Sequence, residues 1–575
     1  MRGEIVAKET KRWGKGFAMR KKGGFREESP RRKETRHRGR WLAPFLLLGA
    51  FFFQACTAVP LSENASNTGS YREIVLLHTN DVHGNIRPLK AVWVDTAHPP
   101  LIGGSASLAG FVRTWRDSDA RRPDLAVRLL DAGDIYQGTP EGNESKGRLM
   151  VEVMNRIGYD YAAVGNHDLD NGVENLKTLV QSAKFPWMAE NLRDAGTGAR
   201  LAFLSGPHIE KILGIDVGFF GITTEDMAKV TLLDTSIAFV EPELEAAVRT
   251  ARELRAKGAE YVVMISHSGV SHDSVLASLL GMERDPATGR PLVDLIVGGH
   301  SHTRLEKPLE IKGVRVVQTG AKGTAVGEIH LRWDVVKGRK VGFEYRLVDL
   351  YNDSFPPDPE MKRFLAPILA RFDSEMGVVV GRARDVIERS FAHGSSPLGN
   401  LITDLMRKAS GAEIAFQNKG GIRAEIPAGE VRRRDLYAVS PFGNTVVLFK
   451  MPGSLVRRIV AKSLDGGYTP LEISGIIVYY DSSRPAWDRL VNVFVGKEPL
   501  DDDRIYTVAT NSFLAGGGDA YTEFTEAGPG RDLGKSLREI EEEFFRSRKE
   551  PVEPEREKRW RDINEFSGGE GEEGP

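Results

Sequence analysis

Cysteine is almost absent: there is one in 575 residues, Cys56. That excludes a disulfide-stapled scaffold and any Cys-rich zinc module. Long hydrophobic runs are absent too. The uncharged stretch 41–56 falls short of the ~20 residues that a membrane-spanning helix needs. No internal repeat is visible. Net charge is nearly absent, at -1, but this hides an asymmetry. Residues 1–40 carry 15 Lys/Arg against 5 Asp/Glu, a net +10, residues 41–56 carry none, and the remainder is about -11. So acidic a body is a poor candidate for wrapping a nucleic-acid polymer. What is present, 41% hydrophobic and 28% charged, is the make-up of soluble globular domains with ample core material. The length fits two large domains or up to about four smaller ones.

The front of the chain reads as an address. A basic stretch precedes an apolar run that ends in small residues, which is the pattern of a secretory signal, and the order fits the positive-inside rule. Its last four residues, Phe53-Gln54-Ala55-Cys56, resemble a bacterial lipobox, although Phe53 and Gln54 are not its commonest choices. In such signals the Cys becomes the lipidated first residue of the mature protein, and here the only Cys stands at that place. The plainer reading is an ordinary signal peptide with an accidental Cys. Met19 offers a second start, since Met19-Arg-Lys-Lys opens a more ordinary basic region. Residues 57–70 are rich in Ser, Asn and Thr and are expected to be a flexible tether. The expected location is the cell envelope on the periplasmic side, with a lipid anchor at Cys56. Thr57, not being Asp, permits sorting to an outer membrane in a Gram-negative cell.

The body, 71–545, divides in two. Up to residue 350, short apolar runs alternate with helical patterns. The strand-like runs are 74–78, 126–130, 161–164, 217–222, 261–265, 295–297 and 314–317. Between them lie amphipathic stretches. In 241–255, Leu244, Ala247, Val248, Ala251 and Leu254 keep helical spacing, and Pro242 suits a first turn. This alternation predicts an α/β layered domain. The rhythm breaks at Phe355-Pro-Pro-Asp-Pro, and 351–376 reads as a linker with a helix over 360–375. A second α/β domain is expected over 377–545. The tail 546–575, dense in Glu, Arg, Pro and Gly, is expected to be disordered.

Polar residues follow the apolar runs directly. The five segments are Asn80-Asp81-Val-His83-Gly84, Asp131-Ala-Gly-Asp134, Gly165-Asn166-His167-Asp168-Leu-Asp170, Ser266-His267 and Gly298-Gly-His300-Ser-His302. Ligand crevices in α/β sheets form at strand ends, and the nearby glycines let backbones come close. Asp81, His83, Asp134, Asn166, His267, His300 and His302 make seven candidate ligands. A single metal with an open water position needs three or four. Seven suffice for two ions ~3.5–4 Å apart if a carboxylate bridges. Imidazole with carboxylate favours Zn, Mn or Fe over Ca or Mg. Two such ions lower the pKa of a shared water and so supply a nucleophile near neutral pH. An isolated His such as His208 or His272 is read as an ordinary surface or core residue.

This ordered set resembles the calcineurin-like metallophosphoesterases. The resemblance implies that Asp81, His83, Asp134 and His302 hold one metal. It gives Asp134, Asn166, His267 and His300 to the other, with Asp134 as the bridge. It also implies that His167, paired with Asp170, stabilises transition-state charge and assists the leaving group.

The second domain brings a closer resemblance, to the 5'-nucleotidase family with its UDP-sugar hydrolases and 2',3'-cyclic phosphodiesterases. Its marks are Leu398-Gly-Asn400-Leu, Asn418-Lys-Gly-Gly-Ile-Arg423, Pro441-Phe442-Gly-Asn444 and Phe513-Leu-Ala-Gly-Gly-Gly-Asp519-Ala-Tyr521. The resemblance implies that Phe442 and Phe513 sandwich a nucleobase and that Asp519 takes ribose hydroxyls. It gives Asn418 the nucleoside or ribose-phosphate atoms and Arg423 the phosphate. It further implies a domain hinge near the linker. The chain departs from the family at Glu388 and Ala392, where arginines are common, with Arg389 and His393 standing nearby. Ala520 replaces the last Gly of the usual ribose loop. The expected activity is phosphate removal from nucleotides by a water activated between two metals, with diphosphate sugars and cyclic nucleotides as further family substrates. The rivals are a related thiosulfohydrolase and a non-catalytic nucleotide-binding or adhesive lipoprotein.

Overall fold

The computed structural model describes residues 71–227, 238–390 and 395–568. The leader, Cys56, the tether, Ala392 and His393 lie outside the described residues. Among the described residues, no helix is long and apolar enough to cross a membrane.

The first domain stacks two six-stranded sheets. The order in the first is Arg339–Asp349, Ala325–Asp334, Tyr71–Thr79, Leu125–Asp131, Tyr161–Ala163, Trp187–Met188. The second runs Leu309–Ile311, Val314–Val317, Leu295–Gly298, Tyr261–His267, Ile215–Thr223, His208–Ile212. All seven apolar runs read from the sequence lie wholly or largely in these strands. Their near-continuous hydrophobicity has a physical cause, because both faces are buried. In Tyr71–Thr79, Ile74 and Leu76 face the other sheet, while Val75 and Leu77 face the helices. Ser105–Arg121, Arg148–Ile157 and Val173–Ser182 cover the outer face of the first sheet. Glu243–Ala256 and Val270–Met282 cover that of the second, with Pro242 at the N-cap of the former. Between the sheets Tyr161 stacks on Phe219 at 4.4 Å. Truncating the fully buried Phe219 to Ala would cost about 3–5 kcal/mol.

The central strands of each sheet run parallel, so their C-terminal ends share one edge. Every candidate ligand loop leaves from such an end.

The linker helix spans Pro359–Met376, and the Asp358 side chain caps it by accepting from the Met361 N–H at 2.7 Å. Its Met361 and Leu365 join the core of the first domain. The second domain is built on a five-stranded sheet ordered Leu471–Ser474, Ile414–Asn418, Ile505–Asn511, Thr445–Pro452, Arg531–Ser536.

The expectation of a disordered tail from 546 is corrected as far as residue 568. Helix Leu537–Ser547 ends there, Val552 bridges Ala383, and Trp560–Asp562 adds a parallel strand to Ile476–Tyr480. Trp560 is buried and its indole N–H donates to the Leu471 carbonyl at 3.0 Å. Arg559 is buried as well and donates to the Ile473 carbonyl and to Asp404. One aromatic ring and one guanidinium with partners outweigh a charge-rich composition.

Candidate metal centre and interdomain cleft

The structure brings all seven candidate ligands together. The His302 Nε2 lies 3.3 Å from Asp81 Oδ1 and 3.0 Å from His83 Nε2. Asp134 Oδ2 lies 3.2 Å from His267 Nε2 and 3.8 Å from His83 Nε2. Asn166 Oδ1 is 2.9 Å from His300 Nδ1 and 3.2 Å from His267 Nε2. Asp81, His83 and His302 form one compact donor group; Asp81, Asp134 and His267 form another. Asp81 is common to the two groups, and Asp134 Oδ2 lies within 3.8 Å of both His83 and His267.

Backbone carbonyls orient two of the rings through Nδ1. His83 donates from Nδ1 to the Gln137 carbonyl at 2.7 Å, and His267 donates from Nδ1 to the Ala132 carbonyl at 2.6 Å. Each leaves Nε2 facing the cluster, the orientation in which backbone carbonyls hold metal-binding imidazoles. Five of the seven candidate ligands, Asp81, His83, Asp134, His300 and His302, have positive φ between 50 and 73°. Such strain in non-glycine residues gathers at functional sites. Glycines make room around it. A Cβ on Gly299 would stand 2.9 Å from the His267 ring, and one on Gly165 would overlap the Asp134 carboxylate.

The electrostatics call for positive charge. Asp81 and Asp134 are buried, and no Lys or Arg pairs with either among the described ion pairs. Burial opposes charge on His267, yet Asp134 and Asp81 push its pKa up to about 10. Burial instead pushes His83 and His300 down to about 4, which leaves them neutral donors. Two buried carboxylates, imidazole nitrogens and a carboxamide oxygen, all convergent, fit divalent cations.

His167 is held beside this cluster. Its backbone N–H donates to Asp134 Oδ1 at 2.8 Å, and its Nδ1 meets Asp170 Oδ2 at 2.9 Å. Burial works against the imidazolium, but the charges of Asp170 and Asp134 prevail and push it up to about 9. The Phe442 ring of the second domain stacks on His167 at 5.9 Å and 28°. The Arg423 guanidinium lies 5.8 Å from the Phe442 ring centre. Arg389 donates to the Arg423 carbonyl at 2.8 Å, so two guanidinium side chains occupy this wall. Glu388 is engaged elsewhere, paired with Arg556 at 3.0 Å.

The other candidates of the second domain sit together. Asn418, at the end of Ile414–Asn418, donates to Asp519 Oδ2 at 2.8 Å. Phe513 packs over Gly518, where a Cβ would come within 2.5 Å of the ring. Ser512 ties its loop to that of Phe442 through Asn444 and Thr445. The Phe442 and Phe513 rings are half-buried, and no stacking between them is among the described ring contacts.

Sequence reasoning missed residues that hold the ligand loops. Asp168 accepts from the N–H groups of Gly165, Asp134 and Ile135 at 2.8 to 3.1 Å. Asn80 donates to Asp81 Oδ2 at 2.6 Å. Asp168 and Asn80 stand inside the motifs and were legible as neighbours of ligands. Gln318, described below, carried no such signal.

A calcineurin-like phosphoesterase model matches residues 74–304, and a 5'-nucleotidase C-terminal domain model matches residues 376–526. The chain is 30% identical over 503 residues to the 5'-nucleotidase of Bos taurus, covering 78% of this chain and 84% of the relative. The structure of a 5'-nucleotidase precursor from Thermus thermophilus matches with a TM-score of 0.73 and 30% identity, covering 86% of this chain and 99% of that one. A sulfate thiohydrolase from the same species matches with a TM-score of 0.67 over 87% of this chain and 98% of its own, but at 19% identity that likeness is one of fold alone. With both halves matched in order and the ligand loops in place, the chain belongs to the 5'-nucleotidase family, a metallophosphoesterase domain followed by a 5'-nucleotidase C-terminal domain.

Proposed function

We propose that the protein is a metal-dependent hydrolase that removes phosphate from nucleotides, with its metal centre in the first domain and its base pocket in the second. The observation that carries this reading is the Phe442 ring stacked on His167, beside the seven-donor cluster. One molecule that reaches from metals to Phe442 needs a phosphate at one end and a flat ring near the other.

Asp81, His83, Asp134 and His302 would hold one ion. Asp134, Asn166, His267 and His300 would hold the second, with Asp134 shared and Zn, Mn or Fe the favoured metals. When bound, the ions supply Lewis acidity toward the phosphoryl oxygens and make water more acidic. The remaining work belongs to side chains. His167, charged and steered by Asp170, faces the reacting phosphoryl group and supplies a proton and a positive charge where negative charge grows. Arg423, with Arg389 behind it, holds phosphate oxygens through its planar fork. Phe442 and Phe513 stack the base, and Asp519 with Asn418 takes ribose hydroxyls. The domains are read as 71–350 and 377–545 around the linker 351–376, with the folded segment up to 568 added to the second. Export and a lipid anchor at Cys56 would place the enzyme at the envelope; a Cys56→Ser chain that stays acylated overturns that part.

The direct test is phosphate release from AMP, UMP, ATP, UDP-glucose, 2',3'-cyclic AMP and p-nitrophenyl phosphate with Mn²⁺, Zn²⁺ or EDTA. Metal-dependent release from nucleotides, well above the nitrophenyl ester, is expected. Activity on the nitrophenyl ester alone sinks the nucleotide reading. Sulfate release from a thiosulfonate substrate in place of phosphate release would move the protein to the thiohydrolases.

A further inference from the structure

The first and last ligand loops, those of Asp81 and of His300 with His302, come from different sheets. Their relative position is not set by either sheet alone. Residues 318–322 run between them and contribute no candidate ligand. Gln318 is 1% exposed and spans the His loop. Its Nε2 donates to the Gly299 carbonyl, and its Oε1 accepts from Ser301 Oγ at 2.9 Å and from the Thr303 N–H at 2.6 Å. These three partners bracket His300 and His302 on both sides. The acceptors and donors also fix which end of the amide is which, because a flipped Gln318 would set its NH₂ against the Thr303 N–H.

The next residue turns to the other loop. Thr319 donates from its N–H at 2.9 Å and from its hydroxyl at 2.7 Å to Asn80 Oδ1. Asn80 Nδ2 donates to the Gly320 carbonyl and to Asp81 Oδ2, both at 2.6 Å. The Lys322 N–H donates to the Asp81 carbonyl at 2.7 Å. Asn80 and Thr319 are buried like Gln318. The segment therefore grips one ligand loop with Gln318 and the other through Asn80, and three of the ligands it grips, Asp81, His300 and His302, are held at positive φ.

We propose that residues 318–322 form a positioning crosspiece that sets the spacing between the Asp81 loop and the His300/His302 loop, with Gln318 and Asn80 as its positioning residues. The proposal rests on the metal-centre reading above. By that reading His300 serves one ion and His302 the other, so loosening the His loop weakens both sites. Asn80 acts on one side only, through the Asp81 carboxylate. Neither residue is among the candidate metal ligands or the proposed substrate contacts.

The test uses the full chain, stripped with chelator and titrated with Mn²⁺ by calorimetry, as wild type, Gln318→Leu, Gln318→Glu and Asn80→Ser. Removing partners that orient metal ligands typically costs about 10–100-fold in metal affinity. Gln318→Leu is expected to weaken Mn²⁺ binding by that factor. Gln318→Glu keeps the acceptor for Thr303 but loses the donor to Gly299, and is expected to fall between Leu and wild type. At saturating Mn²⁺ the KM for AMP should stay within roughly two-fold of wild type, with kcat/KM at low Mn²⁺ reduced and regained as Mn²⁺ rises. A merely structural role would lower the melting temperature of the metal-free protein and leave Mn²⁺ affinity unchanged. Gln318→Leu and Asn80→Ser chains that bind Mn²⁺ as wild type does overturn the proposal. If Gln318→Leu does not fold, Asn80→Ser decides alone, since it cuts the tie to Asp81 and leaves Gln318 in place. A folded wild-type chain that takes up no Mn²⁺ sinks the metal-centre reading itself, and the crosspiece with it.

Discussion

The proposed function gives chemistry to some side chains and recognition to others, and single substitutions separate the two. Asp170 touches the His167 ring at 2.9 Å and stands outside the seven candidate ligands. Asp170→Asn is expected to lower kcat by about 10–100-fold with Mn²⁺ stoichiometry unchanged, because it removes the charge that orients and protonates His167. Loss of bound metal in that variant would refute the division. Phe442 has the opposite profile. Stacking on a base is worth about 1–3 kcal/mol, so Phe442→Ala should raise the KM for AMP by about 5–150-fold. Turnover of p-nitrophenyl phosphate, which has no base, should scarcely change. An equal loss on both substrates would make Phe442 a support for His167 rather than a base platform. Ala520 shows a residue out of step with its backbone: its φ is 61°, beside Asp519 at 53°. A left-handed conformation costs an L-residue about 1–2 kcal/mol, part of which glycine gives back in chain entropy. Ala520→Gly is therefore expected to stabilise the protein by about 0.5–1 kcal/mol in denaturant unfolding; a lower midpoint would show that the Ala methyl packs productively.

Elements were legible in the sequence where burial is two-sided and opaque where it is not. The strands that carry ligands are covered on both faces, so their apolar runs stood out, and the polar residues behind them marked the functional edge. The hairpin Ala325–Asp334 with Arg339–Asp349 escaped notice because Glu328, His330 and Arg332 break the apolar run of its buried first strand and its second strand is only partly buried. The strand Trp560–Asp562 escaped because its anchors are one ring and one guanidinium within a charged stretch. Gln318 was invisible for a different reason: its role lies in three hydrogen bonds that only the folded loop creates. The same hairpin carries a polar cluster with a pH consequence. His330 bonds Glu328 at 2.7 Å and Glu73 at 2.9 Å, and Glu328 also meets Arg346 and the Trp115 indole. Burial opposes the His330 charge, but the two glutamates raise its pKa to about 9. A pKa raised by folding stabilises fully below the unfolded value of ~6.5 and stops doing so as pH climbs through the folded one. His330→Gln should thus cost about 1–3 kcal/mol near pH 6 and much less above about pH 9.5. A pH-independent difference in denaturant midpoint would mean that packing against Trp115, at 5.5 Å, matters more than charge.

At the scale of the molecule, the two halves have separate cores. The buried clusters of the first domain contain no residue of the second domain's sheet, and those of the second contain none of the first. The linker helix belongs partly to the first, through Met361 and Leu365. Arg87 fastens it there as well, with bonds to Glu141 at 2.7 Å, to Asp373 at 3.1 Å and to the Leu369 carbonyl at 3.2 Å. Among the described residues, the direct ties between the domains are polar or small. They include Asn143 Nδ2 to the Pro441 carbonyl at 2.7 Å and the His167–Phe442 stack. A cavity of about 290 Å³ remains between the Arg87 loop, the helix and Tyr437. Interfaces of this kind permit relative motion of domains, in keeping with a cleft that opens for entry and release. A cut after the helix should therefore leave a folded first domain. Residues 67–377 are expected to bind Mn²⁺ and hydrolyse p-nitrophenyl phosphate but to prefer AMP no more than that ester. Adenosine, which carries the base without the phosphate, should inhibit the full chain competitively and leave the fragment untouched. A fragment that keeps its preference for AMP, or its sensitivity to adenosine, would place base recognition in the first domain. The second domain would then be a cover for the metal centre, with no part in choosing its substrate.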